Sequence, residues 1–137
     1  MIMEYKTTLT TCTYCGCGCN FYLETLDGKL TNTIPCKTSP VNEGKLCIKG
    51  WNVHQFVQND RRLKKPLLRK GGELVEVEWE EALAYTADRL KAVTAEKGGD
   101  AVGFLASAKV TNEENYLLQK FARAAIGTNN VDHCARL

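Results

Sequence analysis

Two hydrophobic rhythms divide the chain. Up to about residue 62 the apolar positions fall in short runs with little helical periodicity, and beyond it they become regular. In the first part, Phe21-Tyr22-Leu23-Glu24-Thr25 and Lys29-Leu30-Thr31-Asn32-Thr33-Ile34 flank Asp27-Gly28. Asp-Gly between two such runs predicts a β-hairpin, because glycine takes positive φ without a Cβ penalty. Residues 35–45 read as a loop, and residues 49–57 as a short helix.

In the second part, Leu67-Leu68-Arg69 and Leu74-Val75-Glu76-Val77 are joined through Gly71-Gly72 as a second hairpin. Trp79, Ala82, Leu83, Thr86, Leu90 and Val93 then recur mostly at three- and four-residue steps. That is one face of an amphipathic helix, stopped by Gly98-Gly99. Residues 101–105 read as a short apolar strand. Thr111 and Glu114 form a Thr-x-x-Glu capping box, and Leu117, Leu118, Phe121, Ala122 and Ala125 continue a helix that Gly127 ends. A last strand is predicted at 130–132. Strand, helix, strand is a crossover unit and implies a parallel sheet. The fold class is therefore α+β: a small irregular β-rich module over residues 1–62, then the start of an α/β domain over residues 63–137. The helices at 79–97 and 112–126 are expected to expose apolar surface from a half-built sheet, which invites self-association.

Composition narrows the function classes. The 137 residues are 44% hydrophobic and 25% charged, a globular profile, with a net charge of +2. So small a charge gives no argument for nucleic acid as a partner, and the basic run Arg61, Arg62, Lys64, Lys65 reads as a solvated connector. No apolar stretch approaches the ~20 residues of a membrane span. The start of the chain lacks a secretory or twin-arginine pattern, so the expected location is cytoplasmic. The seven cysteines, several of them crowded together, suit a metal site in such a compartment better than a disulfide framework.

The crowded segment reads Cys12-Thr13-Tyr14-Cys15-Gly16-Cys17-Gly18-Cys19, and Cys47 follows in Gly44-Lys45-Leu46-Cys47-Ile48-Lys49-Gly50. A cubane of four irons needs one thiolate per iron. A tight turn supplies three if glycines at 16 and 18 let it fold sharply, and the hairpin at Asp27-Gly28 returns the chain with the fourth. Cys17 lies between Cys15 and Cys19, where three successive alternate residues do not easily face one cube. The Cys-x2-Cys-x3-Cys spacing therefore selects Cys12, Cys15 and Cys19, and the fourth ligand is assigned to Cys47 over Cys36. The same four cysteines also suit tetrahedral zinc, although zinc ribbons favour two separated Cys-x2-Cys pairs and this chain has one such pair.

With Ile48-Lys49-Gly50 after the fourth cysteine, this ligand set resembles the N-terminal iron–sulfur module of oxidoreductases with a bis-pyranopterin guanine dinucleotide Mo or W cofactor. The likeness continues through Trp79-Glu80-Glu81-Ala82-Leu83, residues 111–123 (Thr111-Asn112-Glu113-Glu114 to Ala122-Arg123) and residues 127–137 (Gly127-Thr128-Asn129-Asn130 to Cys134-Ala135-Arg136-Leu137). Those last runs are similar to formate dehydrogenase catalytic subunits. The resemblance implies a [4Fe-4S] cluster on Cys12, Cys15, Cys19 and Cys47. It implies a pterin-binding α/β domain from residue 63, formate as substrate, and an iron–sulfur electron-transfer subunit as partner. It also puts Lys49 between pterin and cluster as a relay. It places the metal-binding selenocysteine or cysteine at position 138, beyond Leu137, so no catalytic residue is expected within the chain. A UGA codon read as stop is the expectation there, making the parent a selenoprotein and the chain alone inactive. The alternatives are a nitrate reductase, a complex I-type relative, or a stand-alone iron–sulfur or zinc-binding protein.

The remaining candidates read more plainly. His133 and Cys134 are expected to be structural, and His54 is assigned no role. Trp51, Trp79 and Phe121 read as core anchors. Ser107 and Asn112 fall between strand and helix, where α/β folds commonly bind ligands, so a pterin contact there is open.

Overall fold

The computed structural model describes residues 3–134; the Ala135-Arg136-Leu137 end of the C-terminal run lies outside the described residues. Two compact units divide the chain. One comprises the described residues up to Arg62 together with Ala108–Glu114, and the other comprises Leu63–Ser107 with Asn115 onward.

The first unit is built on a three-stranded antiparallel sheet in the order β1 (Tyr5–Thr11), β2 (Asn20–Leu26), β3 (Lys29–Pro35). The predicted hairpin joins β2 to β3. Asp27 and Gly28 take φ of 48° and 76°, the paired left-handed conformation whose twist matches the flanking strands. Glu4 and Asp27 close the same end, the Glu4 N–H donating to Asp27 Oδ1 at 2.9 Å and the Asp27 N–H to the Glu4 carbonyl at 2.8 Å. β1 has no counterpart among the predicted elements. Its sequence, Tyr-Lys-Thr-Thr-Leu-Thr-Thr, has β-branched residues but too few apolar ones to alternate.

Strand alternation sorts the sheet into two faces. Phe21 and Thr33 point to one face and are 1% and 2% exposed. Phe21, Cys12 and Val53 form the core there, with Tyr14, Cys19, Leu23, Leu46 and Phe56 packed around it. The helix predicted over 49–57 is two short ones, α1 (Ile48–Trp51) and α2 (Val53–Val57). The chain breaks at Asn52, whose φ of −107° is not helical. α2 is fixed to this face by Val53 and by His54, whose Nδ1 lies 3.0 Å from Thr33 Oγ1. His54 is thus a structural tie between helix and strand.

The second unit opens with the glycine-turned hairpin of β4 (Leu67–Lys70) and β5 (Glu73–Glu76). α3 (Trp79–Lys97) follows and ends at Gly98, where φ is 81°. The strand expected at 101–105 begins later, as β6 (Phe104–Ser107), because residues Gly99–Ala101 coil into a single tight turn. That turn is tied to the loop after α4. Thr128 Oγ1 donates to Asp100 Oδ1 at 2.8 Å, and Asn130 Nδ2 to the Asp100 carbonyl at 2.9 Å. β6 pairs in parallel with β7 (Val131–Cys134), and the crossover between them is α4 (Asn112–Phe121), extended by a wider turn over Ala122–Ile126. The capping box is present in both directions: the Glu114 N–H donates to Thr111 Oγ1 at 3.2 Å and the Thr111 N–H to Glu114 Oε2 at 2.7 Å. Gly127 ends the helical segment in the left-handed region, at φ 80°.

The expectation of core anchors at Trp51, Trp79 and Phe121 is not met: they are 45%, 60% and 43% exposed. On α3 the buried residue is Ala82, while Leu83 and Tyr85 are exposed. Periodicity identifies the side of a helix that can be buried, but burial needs a partner layer to cover it. Phe121 keeps one aromatic contact, edge-on to Phe104 at 5.9 Å. Among the described residues no helix is long and apolar enough to cross a membrane.

The fully buried Phe21 is the largest side chain of the first unit's core. Phe21→Ala is expected to cost about 3–5 kcal/mol, enough to remove the cooperative urea transition of this unit. Intrinsic fluorescence from Trp51 checks it, and an unchanged midpoint would show that Phe21 does not hold the sheet to its helices.

Candidate metal centre

The β1–β2 connection carries the cysteines. Strand pairing runs to Thr11 opposite Asn20, and the Cys12 N–H then donates to the Cys19 carbonyl at 2.8 Å. Cys12 and Cys19 therefore stand at the mouth of the turn on the Phe21 face, where Cys12 belongs to the core and Cys19 packs against it. Cys15 is half-buried and Cys17 exposed within the turn. Gly18 takes a φ of 72°, as the sharp fold requires. Gly16 does not, and its small size serves another purpose: an added Cβ would overlap Asn112 Oδ1 and lie 2.9 Å from Asn112 Cγ. Asn112 Nδ2 donates to the Gly16 carbonyl at 2.9 Å.

Cys17 lies next to a cysteine assigned as a ligand. Its Sγ lies 3.5 Å from that of Cys19. Burial pushes the Cys19 thiol up to about 11, with the hydrogen bond to Cys17 and the neighbouring thiols of Cys12 and Cys15 adding to it. The Cys19 thiol thus favours its protonated form, so a bound metal must displace that proton to be held.

Cys47 arrives from the other side, immediately before α1, and is exposed. The backbone N–H groups of Gly50 and Lys49, then the Lys49 charge, hold its thiol below the usual range. Lys49 Nζ sits 6.0 Å from the centre of the Tyr14 ring, inside the cysteine turn. Tyr14 in turn meets Phe56 edge-on at 5.8 Å. Leu46, next to Cys47, packs on the Cys12–Phe21–Val53 core. This is the same face of the sheet that carries Cys12 and Cys19.

Cys36 also has a lowered pKa, first through the Thr38 hydroxyl and then, against burial, through the Tyr22 hydroxyl. Acidity does not separate it from Cys47; position does. Cys36 is 4% exposed, with its Sγ 3.9 Å from Tyr22 Oη and 3.4 Å from Thr38 Oγ1. Tyr22 neighbours Phe21 along β2, so alternation puts Tyr22, and Cys36 with it, on the opposite face of the sheet from the core.

The loop between β3 and Cys47 is held by buried amides that carry no sequence signal beyond their polarity. The Asn20 N–H donates to Asn42 Oδ1 at 2.9 Å, while Asn42 Nδ2 donates to the carbonyls of Asn20 at 3.2 Å and Lys45 at 3.0 Å. Ser39 Oγ donates to Asn20 Oδ1 at 2.9 Å. Asn42 thus connects the residue after Cys19 to the segment before Cys47.

The donor chemistry fits an iron–sulfur cube. A single tetrahedral zinc with Zn–S bonds near 2.3 Å would need its sulfurs about 3.8 Å apart. A cube asks instead for thiolates spread around a larger body, one at each iron. Of the other candidates, Asn112 spends its amide on Gly16. Ser107 closes β6 with its N–H near Asn115 Oδ1 and its hydroxyl 3.5 Å from Cys134 Sγ. His133 is exposed on β7.

Known proteins resemble the chain along nearly its whole length. Residues 5–59 match the molybdopterin oxidoreductase Fe4S4 domain, and residues 62–137 match the molybdopterin oxidoreductase family. The F420-dependent formate dehydrogenase 1 subunit alpha of Methanococcus maripaludis is 55% identical over 135 residues, 98% of this chain and 19% of that protein. The F420-dependent formate dehydrogenase subunit alpha of Methanocaldococcus jannaschii is 49% identical over 98% of this chain and 19% of its own length. The chain thus spans about a fifth of the curated relatives it matches. The fold is similar to that of acetylene hydratase from Pelobacter acetylenicus, at a TM-score of 0.72 and 23% identity over 93% of this chain and 18% of that one.

Asn42→Ala leaves the Asn20 N–H and the Lys45 carbonyl, both part-buried, without this partner, at a cost of about 1 kcal/mol for each hydrogen bond lost. The expected result is a urea midpoint lowered by an equivalent amount. A variant as stable as the parent would mean that Asn42 does not tie the loop to β2.

Proposed function

The chain belongs to the molybdopterin oxidoreductases, and on that premise we propose that it is the N-terminal part of a formate dehydrogenase catalytic subunit. The single observation that carries the reading is 55% identity, over 98% of this chain, to an alpha subunit of a formate dehydrogenase. The proposed reaction of the whole protein is HCOO⁻ → CO2 + H⁺ + 2e⁻. A Mo or W centre held by two pyranopterin guanine dinucleotides would supply the two-electron chemistry, and a [4Fe-4S] cluster the one-electron exit to an iron–sulfur partner subunit.

In this reading residues 1–62 are the cluster-binding domain and residues 63–137 the first part of the pterin-binding α/β domain. Cys12, Cys15, Cys19 and Cys47 hold the cluster. The placement of Cys12, Cys19 and the Cys47 segment on the Phe21 face supports this set, and the position of Cys36 on the opposite face argues against it as a ligand. Cys47 comes to the site with its thiolate favoured by the Gly50 and Lys49 amides. Lys49 is the relay between cluster and pterin: its ammonium lies over Tyr14, within the turn that carries Cys12 and Cys15, where a positive charge offsets the negative charge of four thiolates. The reading includes a cytoplasmic location, which is in keeping with thiolate ligands that stay unpaired in a reducing compartment.

Purified anaerobically, the full-length protein is expected to reduce a viologen dye with formate; no formate-dependent reduction would overturn the reading. In that protein Cys47→Ser is expected to lose most of the cluster's iron, sulfide and visible absorption, while Cys36→Ser keeps them. The reverse pattern would overturn the ligand assignment. Lys49→Ala is expected to slow formate-to-dye electron transfer by on the order of 10-fold or more, about 1.4 kcal/mol in barrier, with cluster iron retained. A normal rate would remove Lys49 from the electron path.

A further inference from the structure

Asn112 opens α4, but the helix does not need it there. The cap is Thr111, whose hydroxyl accepts the Glu114 N–H while Glu114 accepts the Thr111 N–H. That reciprocal pair satisfies the local backbone donors. Asn112 sends its side chain to the cysteine turn instead, where Nδ2 donates to the Gly16 carbonyl at 2.9 Å across a sequence separation of 96. The approach is close enough to fix the residue it meets. Gly16 is absent from the positive-φ positions, so its backbone would accept a side chain, but any Cβ would run into Asn112 Oδ1 and Cγ. A donated hydrogen bond and a steric exclusion thus specify the same contact, between the residue that follows Cys15 and the residue that starts α4.

We propose that Asn112 is a positioning residue for the iron–sulfur centre, anchoring the Gly16 carbonyl and thereby the orientation of the peptide between Gly16 and Cys17. The inference rests on the reading that Cys12, Cys15, Cys19 and Cys47 hold a cluster. A peptide unit is planar and trans, so a carbonyl held toward Asn112 directs the Cys17 N–H to the opposite side. With that plane fixed, the thiols of Cys15 and Cys19 on either side of it keep one spacing. Hydrogen bonds to the sulfurs and solvent access set the potential of such a cluster, and both depend on how the turn's backbone is held. Asn112 itself contributes no ligand; it acts through Gly16.

Full-length protein, loaded with iron and sulfide, is the material for the test, and the readouts are the midpoint potential and electron paramagnetic resonance line shape of the reduced cluster. Asn112→Ala is expected to keep its iron and sulfide but to shift the potential and broaden the resonance. Asn112→Leu, which keeps bulk and withdraws the donor, is expected to do the same. Gly16→Ala alone is expected to disturb the cluster more than Asn112→Ala, because its Cβ displaces both partners. Gly16→Ala with Asn112→Ala is expected to resemble Asn112→Ala alone, since the three atoms nearest the new Cβ are gone. Such non-additivity is the mark of two residues in direct contact. Unchanged potential and line shape in both Asn112 variants would overturn the proposal, as would effects of Gly16→Ala and Asn112→Ala that simply add. A wild-type protein that binds no iron and sulfide would overturn the cluster reading and this inference together. A normal wild-type cluster with silent Asn112 variants would overturn the inference alone.

Discussion

The backbone hydrogen bond from Cys12 to Cys19 closes the cysteine turn at the end of the β1–β2 ladder, and the arrangement of the first unit depends on it. Extending the pairing by one step past Thr11 and Asn20 carries the strand alternation into the turn, so that Cys12 and Cys19 emerge on the face that Phe21 has already committed to the core. A one-residue slip would move both to the other side. The short helices after Cys47 are bound to that same face through Val53 and His54, which gives the Cys47 segment little choice of side. The site is thus specified first by sheet register and only afterwards by the chemistry of its thiols.

That order explains which features could be read from the sequence. The hairpin at Asp27-Gly28, the helix over Trp79–Lys97, the capping box and the strand–helix–strand crossover all rest on local rules, and each is present in the structure. The first strand was illegible because Thr-rich segments alternate in shape without alternating in polarity. Residues 49–57 carry no proline or glycine at the break, so the interruption at Asn52 had no local mark.

The sequence marks a set of candidate cysteines but not the framework that holds them. Spacing alone did not show that the Cys17 thiol lies beside that of Cys19. Gly16 looked like a residue chosen for its backbone freedom and is instead constrained by the space that Asn112 occupies. Asn42 and Asn20 give no more signal in the sequence than any loop asparagine. Contacts between residues distant in sequence leave no periodicity behind, and the supports of a site are mostly contacts of that kind. Trp79 shows the same limit from the other side, since its spacing is right for a core and yet it is 60% exposed.

The contact between Gly16 and Asn112 also has a consequence in time. Asn112 leaves the ribosome 96 residues after the Gly16 it anchors. At a synthesis rate of roughly 5–20 residues per second, the interval is roughly 5–20 s. For that period the turn exists with its thiols present and its Gly16 carbonyl not yet claimed by Asn112.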